Sequence, residues 1–104
     1  MIKASTPLFM LGQVVATPGA IEVMKQNSIV PADLLDRHII GDFGDVCEED
    51  KASNDDAVLH GERILSSYSF GKDAKVWIIT EADRSSTHPI AERVLSSADL
   101  LDTN

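Results

Sequence analysis

Apolar residues are densest between Arg63 and Arg84, in the stretch RILSSYSFGKDAKVWIITEADR. Ile64, Leu65, Tyr68 and Phe70 predict one β-strand, and Val76, Trp77, Ile78 and Ile79 predict a second. Gly71-Lys72-Asp73-Ala74 is a short polar loop between them, with a glycine for the positive φ that such hairpins need. The second strand is apolar on both faces, which is the pattern of a central strand rather than an edge. Upstream, Phe9 to Ala16 reads as a short strand supported by β-branched Val14 and Val15. Thr17-Pro18-Gly19-Ala20 then reads as a helix start, with Thr17 as the cap and Pro18 at the first helical position. Ile21, Val23 and Met24 follow, and Asn27-Ser28 closes that helix.

A second helix is predicted from Pro31, with Leu34, Leu35, Ile39 and His38 on or near its inner face. Gly41 ends it, and Asp42-Phe43-Gly44-Asp45 is a turn with two flexible points. A third helix is predicted from Glu48 to His60, followed by Gly61. Its acidic first turn and terminal His60 suit the helix dipole, but Ala52, Val58 and Leu59 form only a thin apolar stripe. Beyond the hairpin, Ser85 to Ile90 reads either as a third short strand or as a capped turn. Ala91 to Leu101 reads as a helix carrying Val94, Leu95, Ala98 and Leu101. The order of elements predicts an α+β fold: one small domain, an antiparallel β-hairpin or short sheet packed against about three helices. Residues 1–8 are expected to form an N-terminal arm, 9–101 the domain and 102–104 a frayed tail.

Composition narrows the chemistry. The 104 residues carry a formal net charge of −8, with nine Lys and Arg scattered among seventeen Asp and Glu. Direct nucleic-acid binding needs basic residues gathered on one face, so it is not expected. A basic protein surface is the complementary partner for such a chain, and a mimic of DNA would be acidic too. Aromatics make up 5% of the chain, so the core is expected to be mostly Ile, Leu and Val, and no aromatic-lined cofactor pocket is expected. Cys47 is the only cysteine; it can form no internal disulfide and no paired-cysteine metal or redox site. The apolar run from Pro7 to Leu11 is too short for a secretory core, and no stretch approaches a membrane span. A cytoplasmic protein is expected.

Asp42, Asp45, Glu48, Glu49, Asp50, Asp55 and Asp56 are opposed only by Lys51. They read as a solvated helix face, a hard-cation site or a docking surface. An EF-hand loop is excluded because Gly44 stands third in DFGDVCEEDKAS where the motif needs a glycine sixth. His38, His60 and His88 have no paired-ligand spacing. Glu81, Asp83 and Arg84 leave the end of the central strand beside Ser85, Ser86, Thr87 and His88, without the elbow motif of a serine nucleophile. No catalytic, cofactor or metal ligand is assigned. The candidate functional patch is Asp42, Asp45, His60, Trp77, Glu81, Asp83, Arg84 and His88. The enzymatic alternative is a metal-dependent hydrolase built from Asp42, Asp45, His60, Glu81, Asp83 and His88, which would have to converge in space.

Three segments, LGQVVATPGA (Leu11–Ala20), RHIIGDFGD (Arg37–Asp45) and HGERILSSY…KVWIITEADRSSTH (His60–His88), resemble a group of short uncharacterised bacterial proteins. Those proteins are carried on plasmids, prophages and other mobile elements. Some bear the label of a type I restriction-modification methyltransferase subunit. That label does not suit this chain: Asn27, Asn54 and Asn104 are never followed by proline, and the chain is too short for a methyltransferase fold. The resemblance brings no catalytic residues. Together with the acidic surface and the lack of a convincing site, it implies a non-enzymatic mobile-element protein acting by protein–protein contact, with anti-defence or host-modulating work as the fitting setting. Exposed hairpin edges separately suggest a homodimer that pairs them. After TEADRS, Ser86 to Asn104 departs from the family's pattern, and the third strand is left open.

Overall fold

The computed structural model describes residues 6–70 and 74–93. These form three helices and one four-stranded mixed sheet, so the α+β expectation holds. The strands are β1 (Gln13–Val14), β2 (Ile64–Phe70), β3 (Ala74–Thr80) and β4 (Ser86–Arg93); the helices are α1 (Pro18–Gln26), α2 (Pro31–Ile39) and α3 (Glu48–His60). The sheet order is β1-β4-β3-β2. β2, β3 and β4 form an antiparallel meander, and β1 pairs with β4 in parallel. The doubly apolar strand is central, as its pattern requires.

The bounds of α1 and the end of α3 follow from their residues. Thr17 accepts the Ala20 N–H at 3.2 Å, Pro18 occupies the first turn, and the Asn27 side chain donates to the Val23 carbonyl at 2.8 Å. Ser28 then takes φ 56° and lets Ile29 N–H close on Met24 at 2.7 Å. α3 ends on Gly61 in the left-handed conformation.

Side-chain alternation sets the core on one face of the sheet. Ile64, Ser66 and Tyr68 of β2, Val76, Ile78 and Thr80 of β3, and Thr87 and Pro89 of β4 are buried together. Ala20, Val23 and Met24 of α1 and Leu34 of α2 pack on Tyr68, Val76 and Ile78. A smaller cluster of Phe43, Ala57 and Ile64, with Phe9, Val46 and Val58 against it, holds α3. Burying a side chain the size of Met24 or Ile78 contributes about 2 kcal/mol.

Three expectations are corrected and one left open is settled. Ala74 opens β3 rather than closing the polar loop, whose residues 71–73 lie outside the described residues. Ala91 to Arg93 are strand, not the start of a helix, because β4 continues in register against Ala74, Lys75 and Val76. The rest of that predicted helix, with the frayed tail, lies outside the described residues. Ser86 to Ile90 resolves as strand, and Pro89 is tolerated there because its missing N–H would face β1 rather than β3. Phe9 to Ala16 yields only a two-residue strand: Gly12 takes φ 65° to pass the β3–β4 turn, where a Cβ would stand 2.4 Å from the Arg84 carbonyl oxygen. Of the N-terminal arm, residues 1–5 lie outside the described residues, while Leu8 N–H is tied to the Ile39 carbonyl at 2.7 Å.

Candidate functional site

The polar residues picked out by sequence sit at several places, and most are engaged inside the chain. Asp42 closes on Arg37 through two bonds, of 2.7 and 3.2 Å, and also receives the Gly44 N–H. The Arg37 hydrogen bond holds the Asp42 carboxyl below the usual carboxylate range and lifts the guanidinium above its own. Asp45 accepts the Ser69 N–H at 2.8 Å. His60 lies at the end of α3 and donates from Nδ1 to the Asp56 carbonyl. Trp77 is half-buried in mid-strand, with the Lys75 ammonium 5.3 Å from its ring. Asp83 accepts the Ser85 N–H at 3.0 Å, and hydrogen bonding to Ser85 keeps its carboxyl below the usual range.

Glu81 and His88 do come together, at 3.9 Å, with Arg63 3.3 Å from the same carboxylate. Ser86 meets the other candidate, His88, at 2.9 Å. Arg84 acts as a staple. Its backbone takes φ 60°, and its guanidinium donates to the carbonyls of Ala57, Glu62, Glu81 and Ala82 at 2.6 to 3.3 Å. These bonds tie the end of α3 to the β3–β4 turn and offset the cost of a left-handed arginine. Among the described residues, no three His, Cys, Asp or Glu side chains come together as a metal-binding group. The six residues of the hydrolase alternative therefore do not meet the convergence it needs.

Sequence reasoning missed the buried polar chain at the centre of the fold. His38 is fully buried, hydrogen-bonded to Ser66 through Nδ1 and to Thr80 through Nε2 at 2.9 Å. Thr80 meets Thr87 at 2.8 Å, and Thr87 donates to the Leu11 carbonyl at 2.7 Å. A carbonyl only accepts, so the direction of the chain follows. Thr87 gives its proton to Leu11, Thr80 gives its proton to Thr87, and His38 must donate from Nε2. Nδ1 is then the acceptor of the Ser66 hydroxyl. Burial holds the imidazole neutral and lowers its pKa to about 4. Phe9 and Phe43 meet the ring edge-on. With every member satisfied and sealed from solvent, this Ser–His pair binds α2 and the β1 segment to the sheet and has no substrate approach. Nearby, the Tyr68 hydroxyl donates to the Asp42 carbonyl at 2.6 Å, and burial pushes its pKa up to about 12.

The two outer strands are treated differently. On β2, residues 65, 67 and 69 turn their peptide groups away from β3; both groups of Leu65 and of Ser67 and the N–H of Ser69 are met. The Asn54 side chain donates to the Leu65 carbonyl at 2.7 Å and accepts the Leu65 N–H at 3.0 Å. Ser67 exchanges backbone bonds with Phe43 and Asp45 at 3.0 and 2.6 Å, and Ser69 N–H goes to the Asp45 carboxylate. Gly44 makes this contact possible, since a Cβ there would lie 2.1 Å from the Ser67 carbonyl oxygen. The outward backbone groups of Leu65 and Ser67 and the Ser69 N–H are thus already engaged within the chain.

β1 has no such cover among the described residues. Gln13, Val15 and Thr17 point their N–H groups at Ser85, Thr87 and Pro89 of β4, at 2.9 to 3.1 Å. By alternation, the peptide groups of Val14 and Ala16 face away from the sheet. Val14 is 42%, Val15 46% and Met10 75% exposed, and Ile21 of α1 is also exposed. No charged residue occurs between Lys3 and Glu22. Among the described residues this edge is therefore uncovered, apolar and uncharged.

No family model matches the chain, and no curated protein or solved structure is significantly similar to it. Among the described residues no helix is long and apolar enough to cross a membrane.

Proposed function

We propose that this protein works by binding another protein rather than by catalysis, and that the β1 segment is its contact surface. The exposure of Met10, Val14 and Val15 around an outermost strand carries this reading. The polar candidates support it from the other side: Asp42, Asp45, Asp83 and Arg84 are already engaged in local bonds that hold turns and strand edges in place. The net charge of −8 favours a partner with a basic surface and speeds its approach. The resemblance to plasmid- and prophage-borne proteins supports a host or plasmid protein as that partner, in an anti-defence or host-modulating setting within the cytoplasm.

The test is comparative capture from bacterial lysate, with wild-type and Val15→Lys protein as baits. Val15 is exposed, so its replacement leaves the core intact. The reading expects specific proteins held by the wild type and lost with the lysine variant. Equal capture by both baits, or specific capture by neither, would count against it.

A further inference from the structure

We propose that β1 is the seat of self-association: two copies pair their β1 strands antiparallel about Val14, joining two four-stranded sheets into one of eight. The inference rests on reading β1 as a contact surface and names its occupant. Three observations select a second copy.

The first is geometric. Val14 presents one N–H and one C=O on the outer side of β1, because Gln13 and Val15 spend theirs on Ser85 and Thr87. A two-fold axis beside Val14 lets each copy donate its Val14 N–H to the Val14 carbonyl of the other. Such pairing is self-complementary for any sequence, and the contact is isologous and closed. Growth into a fibre is stopped because the other edge of the sheet is covered by Asn54, Gly44 and Asp45.

The second is electrostatic. Copies of a chain with net charge −8 repel one another over most of their surfaces. The stretch from Ala4 to Ile21 has no charge at all, so it is where like molecules can approach.

The third is apolar surface. Met10, Val14, Val15 and Ile21 are exposed in and next to the same short stretch of chain, and natural edge strands that stay single are usually blunted by lysine, proline or a bulge. β1 is short, which is itself one such device, but no charge or proline stands between Leu11 and Ala16. The contact is short, so the dimer is a weak one.

Sedimentation velocity over about 10 µM to 1 mM protein tests this. The weight-average mass of the 11.3 kDa chain is expected to rise toward twice that value. Raising salt from about 50 to 500 mM should strengthen association severalfold by screening the repulsion, whereas an acidic–basic contact with a foreign partner would weaken. Val14→Pro removes only the outward N–H, and Val14→Lys blunts the edge while leaving the backbone alone; each should raise the dissociation constant at least tenfold. A monomer at every concentration and salt overturns the proposal, as does a dimer indifferent to both variants. If the proline variant does not fold, the lysine variant decides. A strictly monomeric wild type whose lysate capture still depends on Val15 would sink the second copy alone. A Val14-dependent dimer that captures nothing would sink the foreign partner alone.

Discussion

The two edges of one sheet face the same problem and solve it in opposite ways. A strand at an edge offers unpaired donors and acceptors to any passing strand. On β2 the chain answers with a side-chain amide, a short backbone bridge and a carboxylate, at Leu65, Ser67 and Ser69 in turn. On β1 it leaves Val14 facing outward among exposed apolar side chains. The guarded edge is expensive in sequence terms, because it fixes Asn54, Gly44 and Asp45 at once. The bare edge asks nothing of its residues except that they stay uncharged. The difference teaches that cover on an edge strand is local and specific: among the described residues, one edge of this small sheet has it and the other does not.

The largest expected effect breaks the guarded edge directly. In Gly44→Ala the new methyl would meet the Ser67 carbonyl at 2.1 Å and the Tyr68 ring at 2.7 Å, at φ 76°. Backbone cannot yield there without losing the Ser67 bridge, so about 4 kcal/mol of stability should disappear. Gly61→Ala is the control: its φ is 70° but nothing lies within 4 Å of the added carbon. It should cost only about 1 kcal/mol, the conformational part alone. Denaturant unfolding of both variants separates crowding from backbone strain, and equal losses would mean that the edge bridge contributes little.

The next effect concerns what joins the two edges, the chain from Ser66 of β2 through His38, Thr80 and Thr87 to Leu11, beside β1. The folded pKa of His38, about 4, lies below the ordinary 6.5. The unfolded chain therefore binds a proton between those values that the folded chain refuses, and stability rises with pH across the window. Acidifying from pH 6.5 to 4 should remove about 3 kcal/mol, and His38→Gln should flatten that slope. Asp42 works in the same sense but below its ordinary range, since its pKa is also depressed, so its loss begins where that of His38 is ending. A His38→Gln variant with an unchanged pH slope between 6.5 and 4 would place the acid sensitivity elsewhere.

How much of this was legible in the sequence depends on which interaction fixes each feature. Helices α1, α2 and α3 were readable because Thr17, Pro18, Pro31 and Gly61 act on their neighbours in the chain. β3 was readable as central because Val76, Trp77, Ile78 and Ile79 are apolar on both faces. β4 was half-read, since Pro89 and Ser85-Ser86 suit a turn locally and only the register against β3 makes them strand. In the candidate patch, only Glu81 and His88 meet side chain to side chain; the rest depended on long-range placement that residue type does not encode. The signal for the buried chain was present in outline. Ser66 and Thr80 share parity with Ile64, Tyr68, Val76 and Ile78, and His38 stands one helical turn beyond Leu34. Asn54 gave no such signal, because an amide on an acidic helix looks like any other surface residue until a strand edge lies beside it.

That residue supplies the next sharpening of the comparison. Asn54→Ala removes both bonds to Leu65 and should cost about 2 kcal/mol. It should also convert the guarded edge into a second bare one, so that the variant associates beyond a dimer in light scattering while the wild type stops at two. Stability loss without added association would show that Gly44 and Asp45 guard the edge alone.

The smallest effect is expected at Val14, set against the same substitution at the other edge. Val14→Pro deletes an N–H that faces away from β4, and proline is tolerated on an edge. Ser67→Pro deletes an N–H that is bonded to the Phe43 carbonyl at 3.0 Å. The first should change stability by under about 1 kcal/mol and the second by about 3 kcal/mol. The ratio matters more than either number, because both sites are outward positions of outer strands, one covered by the chain and buried, the other uncovered and exposed. If proline cost as much at 14 as at 67, the Val14 N–H would have a partner in the monomer, and β1 would be as closed as β2.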